Sequence, residues 1–134
     1  VRACEDLLRA AHGAVVNVSS IAGQEGQGSS IAYAASKGAL NTLTISLARV
    51  MGTEVRVNAL LPGFIETGWL AAGLGEAYES SRQAYKDTAA LGEVLTPEDC
   101  TDAILYLLGA TKLTGQLLRL DGGRAVGRLP GRAA

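Results

Sequence analysis

The sequence is poor in aromatic residues: one Trp, one Phe and four Tyr, 4% of 134 residues. Any core must therefore be aliphatic. Its two cysteines, Cys4 and Cys100, are too few for a disulfide framework and do not stand at metal-ligand spacing, and His12 is the only histidine. A metal site is not expected, and a reducing, cytoplasmic setting is. Neither sign of charge dominates: 12 Lys+Arg stand against 13 Asp+Glu, a net charge of −1. No long-range field would draw in nucleic acid or an anionic membrane, so neither is an expected partner. No apolar run approaches the ~20 residues that span a bilayer, and the N-terminus carries no secretory pattern. The chain also opens on Val1 rather than Met, which suggests a piece of something longer.

What is present is a hydrophobic content of 48%, enough for one packed domain. Cys4, Leu7, Leu8 and Ala11 follow helical spacing up to Gly13. Ala14 to Val18 is an apolar, valine-rich run of the kind buried on both faces in a parallel sheet. Ser19 to Ser30, rich in Gly, Ser and Gln, predicts a loop, with Gly23, Gly26 and Gly28 giving it freedom. Ile31 to about Val50 predicts a helix whose apolar stripe is Leu40, Leu43, Leu47 and Val50. Val55 to Leu61 is a second strand, stopped by Pro62-Gly63, and residues 64–75 predict an irregular segment before a weak helix to about Thr88. Thr96-Pro97-Glu98-Asp99 is a helix start with a capping box, and Gln116 to Leu120 is a third strand. Strands alternating with helices imply crossovers and a parallel α/β sheet. The expected arrangement is a three-stranded parallel sheet with flanking helices over residues 1–123, with 124–134, bearing Arg124, Arg128 and Arg132, as a loosely held tail.

In such sheets ligands bind beyond the carboxyl ends of the strands. Ser19 and Ser20, then Pro62 and Gly63, then Asp121 to Gly123 fall there. Tyr33 and Lys37, four apart on the long helix, share one face. A free tyrosine, with a pKa near ~10, is a poor acid–base group at neutral pH. A nearby ammonium favours the phenolate and so tunes the group for proton exchange with a carbonyl or alcohol oxygen. Ser20 could hydrogen-bond the same oxygen. Asn17 and Asn58 are expected to bridge backbones at strand ends.

Taken in order, Val15-Val16-Asn17-Val18-Ser19-Ser20, Gly23, Tyr33-Ala34-Ala35-Ser36-Lys37, Val57-Asn58-Ala59, Pro62-Gly63, Thr67, Thr114-Gly115-Gln116 and Asp121-Gly122-Gly123 resemble the short-chain dehydrogenase/reductase family. The 62–67 run is similar to that of its 3-oxoacyl-[acyl-carrier-protein] reductases. The resemblance covers about residues 1–123 and implies the C-terminal half of a doubly wound Rossmann-type sheet, and an NAD- or NADP-dependent oxidoreductase acting on a small carbonyl or alcohol substrate. It assigns Ser20 to substrate orientation, Tyr33 to acid–base catalysis, and Lys37 to tuning the tyrosine and binding the nicotinamide ribose. Tyr33, Lys37, Pro62, Gly63, Ile65 and Thr67 would face the cofactor. Residues 68–87 would form a substrate lid, with Trp69, Leu70, Leu74 and Tyr78 on its rim. It also implies a homo-oligomer packed through the long helix and the helix before the serine strand.

The family's glycine-rich pyrophosphate loop and the residue that selects NAD or NADP have no counterpart in these residues. The expectation is therefore a truncated copy, inactive by itself. The alternative is a non-catalytic binding or assembly module of the same fold. A serine hydrolase is excluded by the lack of a Gly-x-Ser-x-Gly elbow.

Overall fold

Beyond Arg56, every residue of β2 (Arg56–Pro62) is buried. A strand covered this completely needs a neighbour at each edge and a helix layer on each face. The structure, a computed structural model describing residues 1–128, supplies both. β2 lies between β1 (Ala14–Val18) and β3 (Leu117–Leu120), all parallel, with Val16 opposite Asn58 and Leu60 opposite Leu118. Alternation along β2 sends Val57 and Leu60 to opposite faces. Val57 packs with Ala48 and Met51 of α3 (Ile31–Met51). Leu60 packs with Cys100, Ala103 and Leu107 of α6 (Pro97–Gly109). This is the three-stranded, helix-flanked parallel sheet expected of a Rossmann-type half. Among the described residues, no helix is long and apolar enough to cross a membrane.

α6 shows how its ends are satisfied. The Thr96 hydroxyl accepts the Asp99 N–H, and the Asp99 carboxylate accepts the Thr96 N–H at 2.7 Å, the capping box read from the sequence. At the other end the Arg56 guanidinium donates to the carbonyls of Leu107, Leu108 and Ala110 at 2.8–3.2 Å. These are terminal carbonyls without a helical partner, at the negative end of the helix dipole.

Several expectations are corrected. The face of α3 on the sheet carries only part of the leucine stripe: Leu47 packs against the core and Leu40 is half-buried, but Leu43 and Val50 are 50% and 74% exposed, while Ala34, Asn41, Thr44, Ala48 and Met51 are buried. Small and polar residues go inward there because Thr44 bonds the Leu40 carbonyl and receives the Asn17 amide. Asn17 thus ties β1 to α3 rather than bridging backbones, whereas Asn58 does bridge, between Leu113 and Gln116. Second, the 19–30 loop contains a short helix, α2 (Ala22–Glu25), and 64–75 contains α4 (Gly68–Leu74). Third, Gly23 provides close approach, not freedom. A Cβ there would lie 2.6 Å from the Gly38 nitrogen and from the Lys37 carbonyl carbon. Fourth, residue 124 does not begin a loose tail. Ala125 N–H donates to the Asp121 carboxylate at 3.0 Å and Arg124 pairs with Glu25. Arg132 lies outside the described residues.

Gly23→Ala is therefore expected to destabilise the protein by about 1–3 kcal/mol, since backbone rather than a flexible side chain blocks the added methyl. Gly73→Ala, with open space at its Cβ on α4, is expected to be neutral or stabilising by up to about 1 kcal/mol. Thermal unfolding of the two variants side by side reads the difference.

Candidate active site

The parallel ladder does not stop where the strands do. Ser19 N–H donates to the Leu60 carbonyl, Ile21 N–H to Pro62 and Gly63 N–H to Leu120, at 2.8–3.1 Å. Each bond pins the first residues after one strand to its neighbour. The first residues of the loops at the carboxyl edge are thereby tied to the sheet. The two serines after β1 diverge as a result. Ser19 is buried, its hydroxyl on the Lys37 carbonyl at 3.1 Å. Ser20 faces a cleft of about 600 Å³. Its Oγ accepts the Ala22 N–H at 3.1 Å, which leaves its own hydrogen free to donate outward.

Tyr33 stands in the first turn of α3, where its N–H is capped by the Ser30 hydroxyl at 3.0 Å. Its side chain lines the same cleft as Ser20. Lys37 Nζ lies 5.6 Å from the Tyr33 ring centroid and donates one hydrogen to the Val18 carbonyl at 3.0 Å. An ammonium carries three donors, so two are left for a ligand. Ser20 and Tyr33 thus share one cleft, while Lys37 stands beside the tyrosine ring and is not part of the cleft wall.

The remaining sequence-chosen residues divide. Gly63, Trp69 and Leu70 line the cleft, with Trp69 76% exposed. Pro62 is buried at the end of β2. Ile65 packs inward beside Leu60 and Cys100 and bridges to Leu95. The Thr67 hydroxyl caps α4, accepting the Leu70 N–H at 3.2 Å. Leu74 and Tyr78 are not part of the cleft wall, and Tyr78 rests against Phe64, ring centroids 5.7 Å apart. No group of three metal-ligating side chains occurs among the described residues.

Several cleft residues were not singled out from sequence. Phe64 and Tyr85 give it an aromatic wall, and Glu25 and Arg124 a charged end. Glu25 on α2 pairs with both Arg119 of β3 and Arg124. Arg119 also donates to Asp121 at 2.6 Å. Burial pushes the Glu25 carboxyl up, but the hydrogen bonds from Arg119 and Arg124 outweigh it and hold the group below its ordinary value. Asp121 is shifted the same way: burial opposes, while Arg119 and the Ala125 and Gly123 amides prevail. Local spacing carries no signal for these pairs, since Glu25 and Arg124 are 99 positions apart.

Comparison with known proteins gives a consistent picture. A family model described as enoyl-(acyl carrier protein) reductase matches residues 1–125. The 3-oxoacyl-[acyl-carrier-protein] reductase FabG of Chlamydia muridarum is 35% identical over 122 residues, covering 89% of this chain and 48% of that protein. The short-chain dehydrogenase/reductase homolog YusR of Bacillus subtilis is 38% identical, covering 85% of this chain and 84% of its own length. A solved structure from Beutenbergia cavernae with bound NADP at low occupancy superposes with a TM-score of 0.82 at 32% identity, over 93% of this chain and 51% of that one. YusR apart, the chain spans about half the length of the curated relatives it matches.

The Glu25 cluster generates a pH prediction. A carboxyl held below its ordinary value of 4.5 adds stability that is present above that pH. The contribution is lost as pH falls through the lower folded value. The difference in unfolding free energy between the parent protein and Glu25→Gln, measured by denaturant titration from pH 7 downward, is expected to be constant above pH 5 and to shrink below about 4.5.

Proposed function

The chain belongs to the short-chain dehydrogenase/reductase family, and from that membership we propose that the full-length protein is an NAD(P)-dependent oxidoreductase interconverting a carbonyl and an alcohol. The observation that carries the reading is the convergence of the Ser20 and Tyr33 side chains on one cleft, with Lys37 beside the tyrosine ring. The nicotinamide, when bound, exchanges hydride with the substrate carbon. Everything else is asked of this chain. Tyr33 gives its phenolic proton to the substrate oxygen during reduction and takes it back during oxidation. The Lys37 cation, 5.6 Å from the ring centroid, stabilises the negative charge left on the phenol oxygen. Ser20 donates its free hydrogen to the same substrate oxygen and fixes its position.

The residues fit a nicotinamide ribose at one point: the two uncommitted Lys37 hydrogens supply donors for its hydroxyls. Pro62, Gly63, Ile65 and Thr67 form the loop proposed to close on the nicotinamide. Thr67 would do so from its position as the cap of α4. The adenosine and pyrophosphate are assigned to residues outside this chain. That fits a match to about half of most relatives and an outer edge of β1 that is unpaired among the described residues. The substrate is read as an apolar or acyl carbonyl compound, because Ile21, Phe64, Trp69 and Leu70 line the cleft. Leu7, Leu43 and Val50, exposed on α1 (Glu5–Ala10) and α3, are the apolar surface proposed to pair with a second subunit. A cytoplasmic location suits the free thiols of Cys4 and Cys100.

Assays of the full-length protein with 3-oxoacyl esters and NADH or NADPH test this reading. Tyr33→Phe is expected to lower kcat/KM by about 10²–10⁴-fold, and Ser20→Ala by about 10–10³-fold. An unchanged rate in Tyr33→Phe would overturn the reading and favour a non-catalytic assembly module.

A further inference from the structure

α5 (Tyr78–Thr88) covers the cleft without owning a fully buried residue. A helix so placed is held by few contacts, and its position is open to adjustment. Three side chains tie it to the frame, the first being Tyr78, whose ring rests against Phe64. Arg82 pairs with Glu66 at the partly exposed surface. Tyr85 does more. It is the α5 side chain that packs against a core cluster, that of Ile21, Ala59 and Leu61. Its phenol donates to the Asp121 carbonyl, just past the end of β3, at 3.0 Å. Its ring lies 5.8 Å from that of Phe64, with the Arg124 guanidinium 5.5 Å from its centroid. Gly63 makes room for it, since a Cβ there would occupy the space of the Tyr85 oxygen. Burial pushes the phenol up from its ordinary value, so it remains a donor throughout the neutral range. The ring also lines the cleft that holds Ser20 and Tyr33.

We propose that Tyr85 is a specificity-determining residue whose phenol–Asp121 bond fixes α5 over the cleft and so limits the apolar bulk a substrate can carry beside its carbonyl. This rests on the oxidoreductase reading and deepens it. Tyr85 takes no part in proton transfer. It sets a wall, and the wall moves if the bond is lost.

The test is Tyr85→Phe in the full-length protein, which keeps the ring and its packing and removes only the hydroxyl. Unbranched 3-oxo esters of increasing chain length, with a bulky cyclic ketone, serve as probes. Loss of one hydrogen bond predicts a rise of about 2- to 10-fold in the ratio of kcat/KM for bulky over slim substrates. The change should enter through KM, with the cofactor KM and the pH profile of kcat unmoved. An unchanged ratio, or one uniform loss for all substrates, overturns the proposal. If the parent protein reduces no carbonyl with either cofactor, the oxidoreductase reading has failed, and amide exchange then decides the latch. Exchange across Tyr78–Thr88 is expected to accelerate about 2- to 10-fold in Tyr85→Phe, and identical exchange overturns it.

Discussion

The structure depends on a hydrogen-bond ladder that outlasts its strands. In a parallel sheet, residues leaving the carboxyl edge would ordinarily turn away and become mobile. Here Ser19, Ile21 and Gly63 each donate once more to the neighbouring chain before turning. A cleft built on such loops is tied to the sheet at their first residues. This is what a site needs if a hydroxyl is to meet a substrate oxygen within a few tenths of an ångström.

The second requirement is close packing between α2 and α3. Gly23 lets the α2 backbone touch α3 at Lys37 and Gly38. Ser19 fastens the same point from below by bonding the Lys37 carbonyl. Lys37 is thus fixed at its backbone by one serine and at its tip by the Val18 carbonyl. Its neighbour Ser20 belongs to the same few residues. The catalytic candidates are placed by one compact knot of backbone contacts, not by long side chains finding each other.

This organisation explains what could be read from the sequence. The strands were legible because they are short and mostly apolar, as Arg56–Pro62 and Ala14–Val18 are, but only the first is covered on both faces: β1, at the sheet's edge among the described residues, is half-buried, with Val18 50% exposed. The capping box at Thr96 and Asp99 was legible because its partners are three residues apart. Ser20, Tyr33 and Lys37 stood out because chemistry-bearing residues fell at a strand end and on one helix face. The inner face of α3 was misread for a physical reason. Asn41 and Thr44 look like solvent residues until Asn17 meets Thr44 across the interface. The Glu25, Arg119 and Arg124 cluster and the Tyr85 bond join residues far apart in the chain, and no local pattern encodes them.

That cluster also bears on the order in which the molecule forms. The Glu25–Arg119 and Glu25–Arg124 contacts close loops of 94 and 99 residues, whose entropic cost of closure is lowest once α3, β2 and α6 have drawn the chain together. The cleft's charged end is therefore expected to form late in folding, on a sheet already assembled. Weakening it would leave the folding rate nearly untouched and act on unfolding instead. The charged end of the cleft would open first under stress, while the strands beneath it stay paired.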